Sequence, residues 1–511
     1  MTRARLLKIG ISFAIMTIIA VLLVGLLARI DTKTPIHFGP TYADYGNQAI
    51  TNMIADFYSD GRWKACTNGC GASNHDWGAD SLTYTLFLRW NIDHHDPRVM
   101  PYLRTLAKTT PIYGAPCQIP RGCTGHWSDD PLWDSVAMGK EYIVLGQDNA
   151  ALLANEKASF DFVDRAGPSV FATGACPGIH YQQPGGGANK LKTLETDSNY
   201  IKAALLLFRF THDTTYLEKA RVEYAAVRHY FLDPDLQLYS VYVFDDGANC
   251  TQSRGRFFAS VNGNMIDNGL VLAELTGDKG YLSDALATAQ AVARTLSDAN
   301  GVFTDLQAEN DIEEPLIEAM YDIGVGQDQL FARNWLLSAA AASASSLKSN
   351  GTYSRMFDGP PDQGTSTAWQ SNGGYALAVA AAQIDPNGKP SSTTAWAGAI
   401  RHPISINTSS LPASITFTGA GMALIGTLGE QCCEPGHARV FIDGSETADT
   451  TGIWQNKSSA GISIPNTVLF AWRWPSAGSH TITIQPGIPN GKEGGSFINL
   501  SSYMVVPSPN P

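Results

Sequence analysis

Charge is scarce in this chain. Charged residues make up 16% of its 511 residues against 44% apolar ones, which excludes a self-repelling, disordered polymer. Positive charge is scarcer still: 35 Lys and Arg face 47 Asp and Glu, for a net charge of −12, and no basic patch interleaved with aromatics occurs. Nucleic acid is thereby excluded as a partner. Histidines number only 11, and none stands at ligand spacing from a cysteine, so a structural zinc site lacks its donor set. No metal or other cofactor is expected. Long apolar runs are missing too, except at the amino end.

That exception is residues 9–28 (IGISFAIMTIIAVLLVGLLA), an uncharged stretch preceded by Arg3, Arg5 and Lys8. About 20 apolar residues suffice to cross a bilayer as a helix, and the basic flank sets the amino end inside. The expectation is a signal anchor over 1–30, giving a single-pass protein of the cell membrane with its body outside. Leu26 and Leu27 crowd the position where a small-residue cleavage site would sit beside Ala28. A cleaved signal peptide, with secretion, is the alternative.

Glycine (48), proline (27), tryptophan (11) and tyrosine (19) are plentiful, the profile of a loop-rich globular protein long enough for several domains. The eight cysteines fall as Cys66/Cys70, Cys117/Cys123 and Cys432/Cys433, plus the distant Cys176 and Cys250. The first two pairs are spaced to close small loops, and Cys176–Cys250 to tie two parts of one domain, in an oxidising compartment. Spacing does not fix the pairing, and a vicinal Cys432–Cys433 bond is strained.

After a short tether, residues 40–384 carry apolar spacings of three and four between Gly- and Pro-rich loops. They predict helices near 45–58, 81–92, 132–145, 199–210, 216–231, 265–275, 281–296, 312–321, 330–347 and 367–383, with room for one or two more. Asp148, Asp213 and Asp278 recur every 65 residues, each at the turn after a helical run, and Tyr216-Leu217 and Tyr281-Leu282 repeat the same opening. A fixed helical-hairpin period predicts repeated αα units. Long, dissimilar loops between them favour closure into an (α/α)6 toroid over an open solenoid. Residues 385–395 read as a linker. From 396 to 508 short alternating strands with Gly and Pro turns predict a β-sandwich or jelly roll.

Two adjacent carboxylates, Asp129 and Asp130, stand in Gly125-His126-Trp127-Ser128-Asp129-Asp130-Pro131-Leu132-Trp133. Paired acids and aromatic faces are the inventory of glycoside hydrolysis. The plainer reading makes Asp130 a helix cap before a proline. In a shared cleft two such acids do not ionise together easily, so one pKa rises and the other falls. A helix start beside them favours the ionised form of one.

The helical region resembles glycoside hydrolase family 76, the α-1,6-mannanases. The resemblance rests on Asp129-Asp130-Pro131-Leu132-Trp133, on Cys176-Pro177-Gly178-Ile179-His180-Tyr181, on Asp197-Ser198-Asn199-Tyr200 with Ala203-Ala204-Leu205, and on Leu275-Thr276-Gly277-Asp278 with Tyr281-Leu282. It covers about 45–384 and implies an (α/α)6 toroid. It also implies a retaining mechanism on α-mannan-like glycans, with Asp129 as nucleophile and Asp130 as acid/base. The chain departs from the family pattern at Pro177 and His180-Tyr181, and again at Asp197-Ser198, positions that line the sugar site in the family.

Trp127 and Trp133 are candidate stacking platforms, although tryptophan at helical spacing also serves the core. His180, Tyr181 and Asn199 are the candidate substrate contacts that the resemblance brings. Asp245 and Asp246, near Arg254 and Arg256, offer acids at a cleft mouth or a plain Asp-Gly turn. Asn262 and Asn264 read as caps ahead of a helix, Asn74-His75-Asp76-Trp77 as a sugar contact, and Asp93-His94-His95-Asp96-Pro97 as a surface turn. The carboxyl-terminal region resembles the jelly-roll modules of secreted carbohydrate-active enzymes. There Trp454, Trp472 and Trp474 either bind sugar or only pack. Two rival functions remain: another polysaccharide-active toroid (a uronyl hydrolase or a lyase), and a non-catalytic glycan-binding protein of the cell envelope.

Overall fold

Helices begin where local chemistry supplies a cap. Thr41 accepts the amide of Asp44 while Asp44 accepts the amide of Thr41, and this capping box opens α1 (Tyr42–Phe57). Thr367 and Gln370 do the same for the last helix, α12 (Ala368–Ile384). The 65-residue repeat has its cause here. Asp213 and Asp278 both cap outer helices, with nearly equal backbone angles (φ −78° and −80°), accepting from Thr215 N and Gly280 N. Asp148 lies outside the described residues.

The computed structural model describes residues 40–70, 77–94, 96–109, 127–146, 149–166, 174–182, 191–252, 257–304, 312–390, 395–428, 436–447, 453–455, 462–487 and 498–507. Between α1 and α12 run α2 (Trp77–Ile92), α3 (Val99–Leu106), α4 (Asp130–Leu145), α5 (Ala150–Ala166), α6 (Leu194–Thr211) and α7 (Thr214–Tyr230). They are followed by α8 (Ala259–Thr276), α9 (Lys279–Thr295), α10 (Glu314–Tyr321) and α11 (Leu330–Ser345). Helices α2, α4, α6, α8, α10 and α12 each pack on the next, and α12 packs back on α2, closing an inner ring. The intervening helices form the outer layer. This is the toroid predicted, with α3 and α5 as the two extra helices.

Inner helices are buried almost all round, as α4 and α6 show from Pro131 to Tyr142 and from Leu194 to Leu207. Such helices belong inside a core, while the outer ones are amphipathic. Because outer and inner helices alternate in direction, every inner helix starts at the same end of the ring. The loops that precede inner helices therefore gather there.

Helix α12 ends at Ile384, and the sheet begins at Ile400. The described strands are β4 (Ile400–Asn407), β5 (Ala413–Leu428), β6 (Gly436–Ile442), β7 (Ser445–Glu446), β8 (Ile453–Gln455), β9 (Ile464–Pro486) and β10 (Asn499–Val506). Three shorter strands, β1 (Leu191–Thr193), β2 (Tyr242–Asp245) and β3 (Cys250–Gln252), pair within the toroid. The carboxyl-terminal strands form one antiparallel seven-stranded sheet in the order β7-β6-β9-β5-β10-β4, with β8 on β6. Strand β9 is 23 residues long and carries three register shifts. Such shifts bend a strand and increase its twist. The region is a sheet domain whose described strands are all linked in one hydrogen-bonded order.

The transmembrane expectation needs correction. Residues 9–28 lie outside the described residues, and no described helix is long and apolar enough to cross a membrane. The single-pass placement in the cell membrane is therefore withdrawn.

Candidate active site

Asp129 occupies the N-cap position of α4, yet its side chain makes no cap bond. Its carbonyl instead accepts the amides of Leu132 (2.9 Å) and Trp133 (2.8 Å). Asp130 is the first helical residue and Pro131 follows it. The sequence therefore misplaced the cap by one residue: the turn closes through backbone, and the Asp129 carboxylate takes no part in capping. The segment ahead of the helix is pinned, since Ser128 N donates to Gln182 O (2.7 Å) and Gln182 N to Leu191 O (2.8 Å).

The two acids differ sharply in surroundings. Asp129 is 7% exposed and its Oδ1 is buried with no hydrogen-bond partner among the described residues. Asp130 is partly exposed. Burial raises the Asp129 carboxyl to about 6, opposed by its own backbone amide and by the Trp133 indole. One peptide bond thus separates a desolvated carboxyl from a wetter one. Both stand at the start of an inner helix, where the dipole favours negative charge.

The other candidates divide by burial. Trp127 is 37% exposed and keeps a face for a ligand. Trp133 is 2% exposed, packed against Tyr84 behind Asp129, so the stacking role expected of it is corrected to a supporting one. Asn199 is fully buried; it donates to Glu195 O (2.9 Å) and accepts from Asn264 (3.0 Å), tying α6 to α8. Asn262 and Asn264 lie inside α8, not ahead of it, and Asn262 bonds both the amide and the carbonyl of Tyr239. Asp96 is buried and held by Arg89 and Arg98, which accounts for the motif around it. Asn74-His75-Asp76, Arg254 and Arg256 lie outside the described residues.

His180 is 4% exposed and faces carboxylates where a sugar contact was expected. Its Nδ1 lies 3.0 Å from Asp197 and 2.8 Å from Glu223. Burial opposes the imidazolium, but Glu223 and Asp197 outweigh it and hold the ring protonated, up to about 10. These three are the only group among the described residues with ligand atoms close enough to share an ion.

Asp245 is also interior. It accepts the amides of Ala175 (2.9 Å), Cys176 (3.1 Å) and Gly247 (3.0 Å), with Lys192 Nζ at 3.4 Å. Burial opposes its charge, but these amides and Lys192 hold its carboxyl below the usual range. Gly174, at φ +114°, must be glycine, because a Cβ there would stand 2.3 Å from Asp245 Oδ2. The disulfide Cys176–Cys250 closes beside this clamp, and Cys66–Cys70 closes beside the start of α12, where Cys66 bridges Thr367. The remaining cysteine pairs lie outside the described residues. Asp246 is exposed and accepts the amides of Ala248 and Asn249, an ordinary turn. Tyr181 covers Lys192, whose Nζ lies 4.5 Å from the ring centroid.

Sequence reasoning missed Lys192, which is fully buried and donates to Cys176 O (2.6 Å) and Ile179 O (2.9 Å). It also missed the charged network farther along the ring axis. There Lys140 bonds Glu318, Lys202 reaches Asp267 (3.3 Å), and a cavity of about 220 Å³ opens beside them. Apolar periodicity carries no signal for buried ion pairs. Ten residues of helix separate Lys140 from Asp130, roughly 15 Å, so this network is apart from the paired acids.

No protein-family model matches the chain, and no curated protein matches it. Solved structures do. The family 76 α-1,6-mannanase of Salegentibacter sp. HEL1_6 is 17% identical over 67% of this chain and 99% of its own, with a TM-score of 0.57. Inactive variants of that enzyme, in which two consecutive aspartates are replaced, were solved with α-1,6-mannotetrose and α-1,6-mannotriose. A family 76 α-mannanase of Bacteroides thetaiotaomicron is 17% identical over 68% of this chain and 97% of its own, at 0.56. Dfg5 of Chaetomium thermophilum, solved with glucosamine, is 14% identical over 69% and 92%, at 0.53. At such identities the likeness establishes the fold.

Proposed function

We propose, from the premise of a glycoside hydrolase family 76-like fold, that this protein is a retaining glycosidase acting on α-1,6-linked, mannan-like glycans. The observation that carries the reading is the pairing of a buried Asp129 with a partly exposed Asp130 at the start of an inner helix. Consecutive aspartates are also the residues replaced in the inactive mannanase variants of the same fold.

Asp129 is the nucleophile. One of its oxygens attacks the anomeric carbon as the glycosidic C–O bond breaks, and Asp130 gives its proton to the departing oxygen. Asp130 then takes a proton from water, which attacks the same carbon and releases Asp129 from the ester. Burial favours the first step: a desolvated carboxylate with an unpaired oxygen is costly to hold, and forming the ester discharges it. The dipole at the start of α4 keeps that carboxylate ionised enough to react. Trp127 offers the aromatic face that a pyranose packs on. Such hydrolysis needs no cofactor.

Covalent trapping tests the assignment. A 2-fluoro-mannosyl fluoride should label the protein once, and peptide mass mapping should place the label on Asp129. A label on another carboxylate would reassign the nucleophile.

A further inference from the structure

The sheet domain docks on the toroid at the end where the inner helices begin. Its contacts there are specific. Val468 N donates to Asp362 (2.6 Å), Arg473 Nη1 donates to Asp358 (3.0 Å), and Trp396 Nε1 donates to the Asp358 carbonyl (3.1 Å). Asp358 and Asp362 belong to the loop before α12, and Asn300 to the loop before α10. Those loops share an end with Asp129 and Asp130, and α10 stands across the ring from α4.

Contact between the two parts is incomplete. A cavity of about 350 Å³ remains at the junction, lined by Asn300 and Asp358 from the toroid loops, Ser338 and Ser345 from α11, and Arg473 and Trp474 from β9. The sheet builds its side of this cavity deliberately. Strand β9 loses register against β5 between Arg473 and Gly478, so four residues starting at Trp474 stand opposite Ala420 alone. A bulge of this kind re-aims a side chain. His480 stacks on one face of the Trp474 indole (centroids 4.0 Å, planes 14° apart) and is itself bonded to Asp443 (2.8 Å). The ring is thus braced from behind.

We propose that this junction cavity is an accessory saccharide site, taking a neutral pyranose unit of the polymer whose cleavage is proposed above. The lining has the needed composition: one held aromatic ring, planar polar groups and hydroxyls. Arg473, held by Asp358, brings a planar guanidinium to the lining. Charge does not call for an ionic ligand, since Arg473 is already matched by Asp358. Asp298 beside it is pushed up to about 8 by burial and by Asp358, and so adds no second negative charge at neutral pH. A long glycan gripped here and cut at Asp129 gains from effective concentration, whereas a short one reaches only one site.

The inference rests on the proposed hydrolase activity, so its test is built to separate the two. Initial rates on α-1,6-mannan and on α-1,6-mannotriose are compared for wild type, Trp474→Ala and Asn300→Ala. In parallel, mannotriose, maltotriose and cellotriose are titrated calorimetrically into Asp129→Asn with and without Trp474→Ala. Expected are a KM on polymer raised about fivefold or more in both variants, an unchanged rate on mannotriose, and loss of one binding event with Trp474→Ala. Unchanged polymer kinetics together with unchanged titrations would overturn the accessory site. A protein that hydrolyses nothing, yet loses a binding event with Trp474→Ala, would sink the hydrolase reading and keep the site.

Discussion

Asp129 and Asp130 are joined by one peptide bond, yet the first is walled in beside the Trp133 indole and the second reaches solvent. The step from N-cap to first helical residue rotates one side chain inward and the next outward. That step separates a group that must stay dry from a group that must exchange protons with water.

Stability should report the difference. The folded-state pKa of Asp129 lies near 6 against about 3.9 unfolded, so the fold favours its protonated form. Stability is then lost as pH rises through that window, by roughly 3 kcal/mol for two units. Asp129→Asn should unfold at a higher temperature than wild type above pH 6, and the gap should close near pH 4. Thermal unfolding of both proteins across pH 4–8 checks this.

The rate should follow the same group. A nucleophile must be ionised, so the acidic limb of the kcat/KM profile on α-1,6-mannan should climb as pH rises through about 6, and the rate should fall again where Asp130 loses the proton it must donate. A profile flat from pH 4.5 to 7 would separate Asp129 from the rate-limiting chemistry.

The Asp245 clamp is structural. Asp245→Ala removes the acceptor of three backbone amides and strands the buried Lys192 ammonium. Breaking one partner of a buried pair costs about 3–5 kcal/mol. Urea unfolding should register a loss of that order, whereas Asp246→Ala, on an exposed turn, should change little.

His180 gives an alkaline signature. Its folded pKa is raised to about 10 from 6.5, so its contribution to stability is full below about 6.5 and fades as pH rises through 10. His180→Gln should be less stable than wild type at pH 7, and the difference should shrink by pH 10.5. A constant gap over that range would show that the ring is not charged in the fold.

The toroid was legible because helical hairpins recur with their caps: Asp213 and Asp278 mark equivalent turns in sequence and in space. Helix α3 escaped because Pro101 interrupts a short run, and α5 because Asn155-Glu156-Lys157 breaks its apolar stripe. Side-chain direction was less legible than element order. His180, Asn199 and Trp133 lie beside the paired acids in the chain's logic, but each turns into the core. Motif spacing places a residue on an element; only packing decides which way it faces. The sheet region read as short strands because turn residues interrupt it, whereas β9 runs through them on bulges.

The most direct measurement is proton NMR of products formed from α-1,6-mannan by wild type, Asp129→Asn and Asp130→Asn, with folding of each variant verified by circular dichroism. The account predicts that wild type releases mannooligosaccharides whose first-formed anomer is α, and that both folded variants release none. A wild type that cleaves nothing, a β-anomer formed first, or a folded variant that keeps full activity would contradict it.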